Sequence, residues 1–366
     1  MTLIGLHFNI LEKIGAGSFG TVYRVEDTRT KENFAIKIFD KVPLEEIKEH
    51  LSPEMIYKIA SLSHENLIRV YDYVTYNEHL CALLEYFEGE SLKNFRLGYE
   101  NRDEFLQIIV QTCYALQYLH ENNLLHKDLK LENILYTRTD EGIKVKVCDF
   151  GFAKVVSRPT DKQDVATLPY LSPEALRNSN FSPQSDFYSL GIILYYLAVG
   201  AFPFSKDEIA LMIEKKIPNI MPQFPSRVNP AVSRSIEELI FKLIEFNPIL
   251  RFQTAKEIIQ FINKTHRTSF PQSLKISPVE NIRSKPLKIH EKSILTLNDY
   301  VEIAAHRNGQ IVFVTGDYGI GKKSSMQFLK WYLIRQLADY STFFYRCDES
   351  HQDPIFMLCK ELITMQ

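Results

Sequence analysis

From Phe8 to Phe39 short apolar runs alternate with turn signals: FNILEKI, GAGSFG, TVYRVED, TRTKEN and FAIKIF. Runs of that length, rich in β-branched and aromatic residues, predict three antiparallel strands joined by hairpins. From residue 104 the period changes, and Phe105, Ile108, Ile109, Thr112, Leu116 and Leu119 share one helical face. Further helices are predicted over 185–199, over 233–246 with a stripe of Ile236, Leu239, Ile240, Leu243 and Ile244, and over 255–263. The last opens on Thr254-Ala-Lys-Glu257, a capping-box pattern, and the one before it is expected to stop at Asn247-Pro248. A small β-rich part thus precedes a larger helical one.

Between about 264 and 290 the periodicity disappears and Ser, Pro and Lys accumulate, which is linker composition. Beyond it, QIVFVT (310–315) predicts a short strand and Lys322 to Leu337 an amphipathic helix. This divides the 366 residues into a first domain over 1–265, a linker over 266–290 and a second segment over 291–366. The apolar stretch Phe187 to Phe204 approaches membrane-spanning length, but Ser, Gly, three Tyr and a Pro interrupt it, so a buried core helix is expected.

Composition changes this picture little. Apolar residues make up 45% and charged residues 24%, the balance of a soluble globular protein. The net charge of −2, from 43 basic and 45 acidic side chains, creates no field favouring nucleic acid or an acidic membrane, so neither is expected as a partner. Five dispersed cysteines without a CxxC pair read as reduced thiols, and MTLIGLHFNILEKIG lacks the regions of a signal peptide; a cytoplasmic location is expected.

The candidate chemistry is concentrated in three places. Gly15-Ala-Gly17-Ser-Phe-Gly20-Thr-Val22 lies between two predicted strands, where a glycine hairpin can lie flat over a polyphosphate and offer backbone N–H donors. In Phe34-Ala35-Ile36-Lys37, alternation puts Ala35 and Lys37 on one face, a small residue and a cation together. His126-Lys127-Asp128-Leu-Lys130-Leu-Glu-Asn133, followed by Val147-Cys148-Asp149-Phe150-Gly151, is the most specific cluster. It supplies a carboxylate for an attacking hydroxyl, a cation for a migrating phosphate and oxygen ligands for magnesium.

On these motifs residues 8–263 resemble the eukaryotic-type serine/threonine protein kinase family. The resemblance implies an α+β, bilobal kinase fold, with a small β-rich N-lobe over about 1–87 and a larger helical C-lobe over about 88–265. It implies ATP and Mg²⁺ as cofactors and a protein with a Ser or Thr acceptor as substrate. In that family Lys37 would hold the α and β phosphates, Asp128 would orient the hydroxyl and accept its proton, and Lys130 would neutralise the γ-phosphate. Asn133 and Asp149 resemble the magnesium ligands. Leu83-Leu84-Glu85-Tyr86-Phe87 resembles the hinge, with the backbones of Glu85 and Phe87 on adenine and Val22, Ala35 and Leu135 around the ring. Lys130 two residues after Asp128 is the serine/threonine pattern, and Phe152 resembles kinases that prefer serine. The resemblance further implies that Glu174 pairs with Arg251, that Asp186 braces the catalytic loop and that Thr167 contacts it.

The chain departs from the family at three points. The glutamate expected to pair with Lys37 falls by ungapped counting on Met55, with Glu54 beside it; a one-residue shift of a helix starting near Ser52-Pro53 makes Glu54 the partner. Lys127 stands where the family has arginine, keeping the charge but losing the fork that grips a phosphothreonine, so control by phosphorylation at Ser157, Thr160 or Thr167 is expected to be weak. The third departure is the second segment. Gly316-Asp-Tyr-Gly319-Ile-Gly321-Lys322-Lys323 resembles the P-loop of AAA and STAND-type signalling ATPases, within an incomplete α/β unit. The magnesium-binding hydroxyl expected after Lys322 is absent, and Ser324, one position on, would sit about 100° around the helix. Two functions stay open: a serine/threonine kinase acting in intracellular signalling, or an ATP-binding pseudokinase or regulatory module controlling a C-terminal ATPase.

Overall fold

The structure, a computed structural model, describes residues 2–3, 8–17, 19–28, 30–43, 47, 53–76, 79–150, 167–214 and 221–274. They fall into two units: residues up to Leu62 together with Val70–Tyr86, and Ser63–Arg69 together with the described chain from Phe87 on. The candidate P-loop residues Gly316, Gly321 and Lys322, and Phe152, Ser157 and Thr160, lie outside the described residues.

The smaller unit is a six-stranded antiparallel sheet. Its strands are β1 (Thr2–Leu3), β2 (Phe8–Ala16), β3 (Thr21–Asp27), β4 (Asn33–Ile38), β5 (Val70–Tyr76) and β6 (His79–Glu85), in the order β1-β2-β3-β4-β6-β5. β2, β3 and β4 are the strands predicted from Phe8 onward. The alternation in β4 holds: Phe34, Ile36 and Ile38 join Phe8, Val25 and Cys81 in one apolar cluster, while Ala35 and Lys37 take the other face. Both of those are also buried, at 5% and 4% exposure, so this sheet is covered on both sides at β4. The helix α1 (Pro53–Ser61) inserts Ile56 and Ile59 and packs on β5. Proline at its first position lacks only an N–H that would have no partner there.

The larger unit is built around α2 (Arg102–Glu121) and α4 (Pro183–Val199), which follows the short α3 (Pro173–Asn178). Every residue of α4 from Ser185 to Tyr195 is buried, which explains why the sequence is apolar all round. Ser182 and Ser185 close a capping box at its start, and Gly200 ends it at φ 84°. Gly191 leaves room for Ile244, since a Cβ there would lie 2.6 Å from Ile244 Cγ2. After α5 (Lys206–Ile213) and α6 (Pro225–Val228), the amphipathic α7 (Arg234–Leu243) and α8 (Ala255–His266) close the core. Among the described residues no helix is long and apolar enough to cross a membrane. A second sheet, β7 (Glu90–Ser91), β8 (Ile134–Thr139) and β9 (Gly142–Val147), lies along α2.

Three local expectations change. α7 stops at Leu243 rather than at Asn247-Pro248. Just past this end the carbonyls of Glu245 and Phe246 accept from the Arg251 guanidinium at 2.6 and 3.1 Å. At α8 the Thr254 hydroxyl accepts from Glu257 N–H as predicted, but the Glu257 carboxylate reaches one residue further, to Gln253 N–H at 2.9 Å. The predicted linker begins as ordered structure, because Asn263 bonds the backbone of Phe270 through both ends of its amide and Tyr114 donates to the Pro271 carbonyl.

Arg251 has no side-chain exposure and makes paired bonds to Glu174 at 2.7 and 2.9 Å. Burial alone would raise the Glu174 pKa, but the Arg251 bonds and charge outweigh it and hold the carboxyl below the usual glutamate range. A depressed acid stabilises the fold above its unfolded pKa, and that contribution disappears as pH falls through the folded value. Glu174→Ala is therefore expected to cost about 3–5 kcal/mol near neutral pH by stranding a buried cation. Thermal melts of both proteins should converge as pH is lowered through and below the glutamate range, and a gap independent of pH would refute the assignment.

Candidate active site

The segment between α2 and β8 carries most of the predicted site. Leu129 and Leu131, at 1% and 2% exposure, insert into the core and turn Asp128 and Lys130 the opposite way. A single turn of tighter helix over Leu131–Asn133 then brings Asn133 back beneath Asp128. Lys130 Nζ lies 2.9 Å from Asp128 Oδ2. Asn133 Nδ2 donates to the Asp128 carbonyl at 2.8 Å and to the same Oδ2 at 3.3 Å. Both side-chain contacts use Oδ2, so Oδ1 of Asp128 is left to accept from another donor. With its amide nitrogen committed to Asp128, Asn133 keeps its side-chain oxygen for a cation. Lys130 also reaches the Thr167 hydroxyl at 3.4 Å, the contact expected of that threonine.

Two residues here hold left-handed backbone: Lys127 at φ 66° and Asp149 at φ 61°. The other described non-glycine residues with positive φ sit at a hairpin or just past a helix end (Lys31, Asn123, Ser179, Arg267). Left-handed backbone costs a non-glycine residue on the order of 1–3 kcal/mol and persists only where surrounding bonds over-determine it. At Lys127 those bonds come from Asp186, 1% exposed, which accepts from Lys127 N–H at 2.9 Å and His126 N–H at 3.0 Å. His120 Nε2 completes the shell at 2.8 Å. Burial would raise the Asp186 pKa; the bond and charge of His120, with His126 and Lys127 N–H, outweigh it and hold the acid below the usual range.

His120 is the functional residue that pattern reading missed. The only signal was its place in the last turn of α2, six residues before His126. Lys127, the substitute for arginine, rests with Nζ 5.8 Å from the Phe181 ring centroid.

The remaining predicted residues are divided between the units. Gly15, Gly17, Gly20, Val22, Ala35, Lys37 and Glu85 belong to the smaller one; Phe87, Leu135, Asp128, Lys130, Asn133 and Asp149 belong to the larger. The three glycines have different reasons to be glycine. A Cβ at Gly20 would fall 1.9 Å from the Ile38 carbonyl, so strand packing requires it, whereas Gly17 faces open space at the hairpin tip. Gly17 N–H closes that tip onto the Gly20 carbonyl at 2.9 Å. Lys37 pairs in register with Val22 and Ala82, and its Nζ lies 5.8 and 5.4 Å from the Phe19 and Phe39 rings. Glu54 stands in the first turn of α1, next to Met55; its side chain lies outside the described residues.

Among the described residues no cluster of three His, Cys, Asp or Glu could cage a metal by itself. Asn133 and Asp149 nevertheless fit a cation that takes one or two protein oxygens and completes its shell with substrate phosphates, which is magnesium's habit.

Comparison with known proteins shows which family this chain belongs to. The protein kinase domain family matches residues 8–261. The chain is 34% identical over 260 residues to the serine/threonine-protein kinase PrkC of Bacillus subtilis, covering 69% of this chain and 39% of that protein. It is 32% identical over 252 residues to the serine/threonine-protein kinase dkf-2 of Caenorhabditis briggsae, covering 67% of this chain and 21% of that one. Among solved structures it is similar to the Mycobacterium tuberculosis PknI kinase domain, at TM-score 0.55 and 19% identity over 72% of this chain and 96% of that one. That likeness shows the kinase fold, with a β-rich N-lobe and a helical C-lobe. The chain belongs to the protein kinase domain family, and the curated relatives named above are serine/threonine kinases. It spans only 21 to 39% of the length of those relatives.

His126 yields a test of this geometry. It is wholly buried, with Nδ1 accepting from Asp128 N–H at 3.3 Å and Nε2 donating to the Cys148 carbonyl at 3.0 Å. Burial lowers its pKa, against the opposing pull of Asp186, Asp128, the Cys148 carbonyl and Asp149. The ring is expected to stay neutral, protonated at Nε2, through the pH range near 6.5 where free histidine titrates. Nitrogen NMR shifts of His126 should then be flat across that range; a titration at the free value would mean the loop is not held this way.

Proposed function

We propose that this chain is a serine/threonine protein kinase that moves the γ-phosphate of ATP onto protein hydroxyls in the cytoplasm, serine over threonine. The observation that carries it is the Lys130–Asp128–Asn133 cluster, with a lysine 2.9 Å from the carboxylate and an amide tying the loop beneath it. In this reading Asp128 Oδ1 accepts the proton of the substrate hydroxyl as its oxygen attacks the γ-phosphorus, the bond to the β–γ bridging oxygen breaks, and ADP leaves. Lys130 offsets the charge that develops on the migrating phosphoryl group. Asn133 and Asp149 would hold Mg²⁺, whose charge would offset that of the phosphates. Lys37 holds the α and β phosphates and takes Glu54 as its partner. Val22, Ala35 and Leu135 enclose adenine, and the backbones of Glu85 and Phe87 bond its edge.

The domain assignment remains as the sequence suggests: a kinase domain over 1–265, a linker over 266–290 and a P-loop-like segment over 291–366, beyond the matched family. Gly316, Gly321 and Lys322 are proposed to bind a second nucleotide phosphate without hydrolysing it.

The test is transfer from ATP and Mg²⁺ to a serine-rich protein by the wild type, Asp128→Asn and Asp149→Ala. Each variant is expected to lose at least about 10²-fold in kcat. If the wild type transfers nothing yet binds nucleotide in a way that Lys37→Met weakens, the pseudokinase reading replaces this one. Nucleotide stoichiometry of the full chain should drop by one with Lys322→Ala, and an unchanged stoichiometry would remove the second site.

A further inference from the structure

β9 runs from Gly142 to Val147, two residues short of Asp149. One edge pairs with β8 throughout its length. Among the described residues no strand runs along the other edge, where Leu67 makes only an isolated parallel bridge to Val147, yet each of its outward backbone groups at Ile143, Val145 and Val147 has a partner. Gln107 Oε1 accepts from Ile143 N–H at 3.0 Å, and Gln111 Nε2 donates to the Ile143 carbonyl at 2.7 Å. Gln111 Oε1 accepts from Val145 N–H at 2.9 Å, and Asn66 Nδ2 donates to the Val145 carbonyl at 3.0 Å. At Val147 main chain takes over, with the Asn66 carbonyl at 2.8 Å and Ile68 N–H at 2.9 Å. Asn66 Nδ2 also donates to Gln111 Oε1 at 3.0 Å, joining the two amides.

Three side-chain amides thus occupy the place of a neighbouring strand. Gln107 and Gln111 are four residues apart on α2, so they lie on one helical face. Gln111 matches a donor and an acceptor two residues apart on β9, which a strand shifted by one residue could not satisfy. The fit extends to Gly142, at φ 116°, where a Cβ would stand 2.8 Å from Gln107 Oε1. Because the strand passes directly into Cys148 and the strained Asp149, its register sets where that carboxylate stands.

We propose that Gln111, seconded by Gln107, is a positioning residue for Asp149, fixing the register of the strand that delivers the metal-binding carboxylate. This rests on the reading of Asp149 given above. The supporting measurements are amide hydrogen exchange and Mn²⁺ binding in the presence of ATP, read by electron paramagnetic resonance, on the full chain. The variants are Gln111→Met, Gln111→Glu and, as a milder lesion that removes a single acceptor, Gln107→Met. Gln111→Met is expected to speed exchange over 143–149 while leaving β8 and α2 as in the wild type, and to weaken Mn²⁺ binding about tenfold, the usual effect of losing a partner behind a metal ligand. Gln111→Glu keeps the acceptor for Val145 N–H and should recover part of both losses.

Faster exchange spread evenly over α2, β8 and β9, or faster exchange confined to β9 with Mn²⁺ affinity unchanged, would overturn the proposal. So would a wild type that binds no Mn²⁺ with ATP. A wild type that binds Mn²⁺ and ATP but transfers no phosphate defeats the kinase reading alone, and the affinity ratio still decides the role of Gln111.

Discussion

The site depends on a buried carboxylate that, among the described residues, pairs with no arginine or lysine side chain. Asp186 enters on the first turn of α4, a helix too deeply packed to shift, and spends its two oxygens on the N–H groups of His126 and Lys127 and on His120. Removing a carboxylate from water is costly unless its lone pairs are taken up, and here neutral backbone donors do so. The return is geometric. Lys127 is held in a left-handed conformation, and the chain leaving it presents Asp128 and Lys130 on one side while Leu129 and Leu131 anchor the other. Rigid core is thereby converted into a fixed position for a carboxylate.

The same logic recurs at Arg251, which supplies donors to the carbonyls of Glu245 and Phe246 just past α7 and binds Glu174 at the start of α3. It recurs along β9, where glutamine and asparagine side chains replace a strand. In each case a buried polar group is matched by several partners, so its cost of desolvation becomes a penalty on any other arrangement. These three anchors hold His126 to Asp149 on one side and Glu174 on the other.

Much of this could be read from the chain. The strand pattern after Phe8 and the stripes at Phe105 and Ile236 are periodic signals, and periodicity reports burial directly. Asp128, Lys130 and Asn133 stand out as a motif whose residue types suit phosphoryl transfer, whereas Glu174, Arg251, Asp186 and Thr167 owe their expected roles to family resemblance alone. The role of Arg251 past the end of α7 is not legible in the local pattern, because its bonds to the carbonyls of Glu245 and Phe246 depend on where its buried side chain is held by Glu174. His120, Gln107 and Gln111 were hidden for a related reason: each is one polar residue on a helix, and what it bonds is remote in sequence. Gly20 carries a second requirement that its motif does not reveal, since packing against the Ile38 carbonyl also demands glycine there.

The most direct test of this account is a kinetic comparison of Asp186→Asn with the wild type, alongside nucleotide affinity and a thermal melt. Asparagine keeps the shape but offers one acceptor fewer, so the loop should lose its fixed geometry while the fold survives. The account predicts a fall in kcat of about 10²-fold, as expected when a catalytic group is misplaced by about an ångström, with nucleotide affinity nearly unchanged. A folded Asp186→Asn protein that transfers phosphate at the wild-type rate would contradict it.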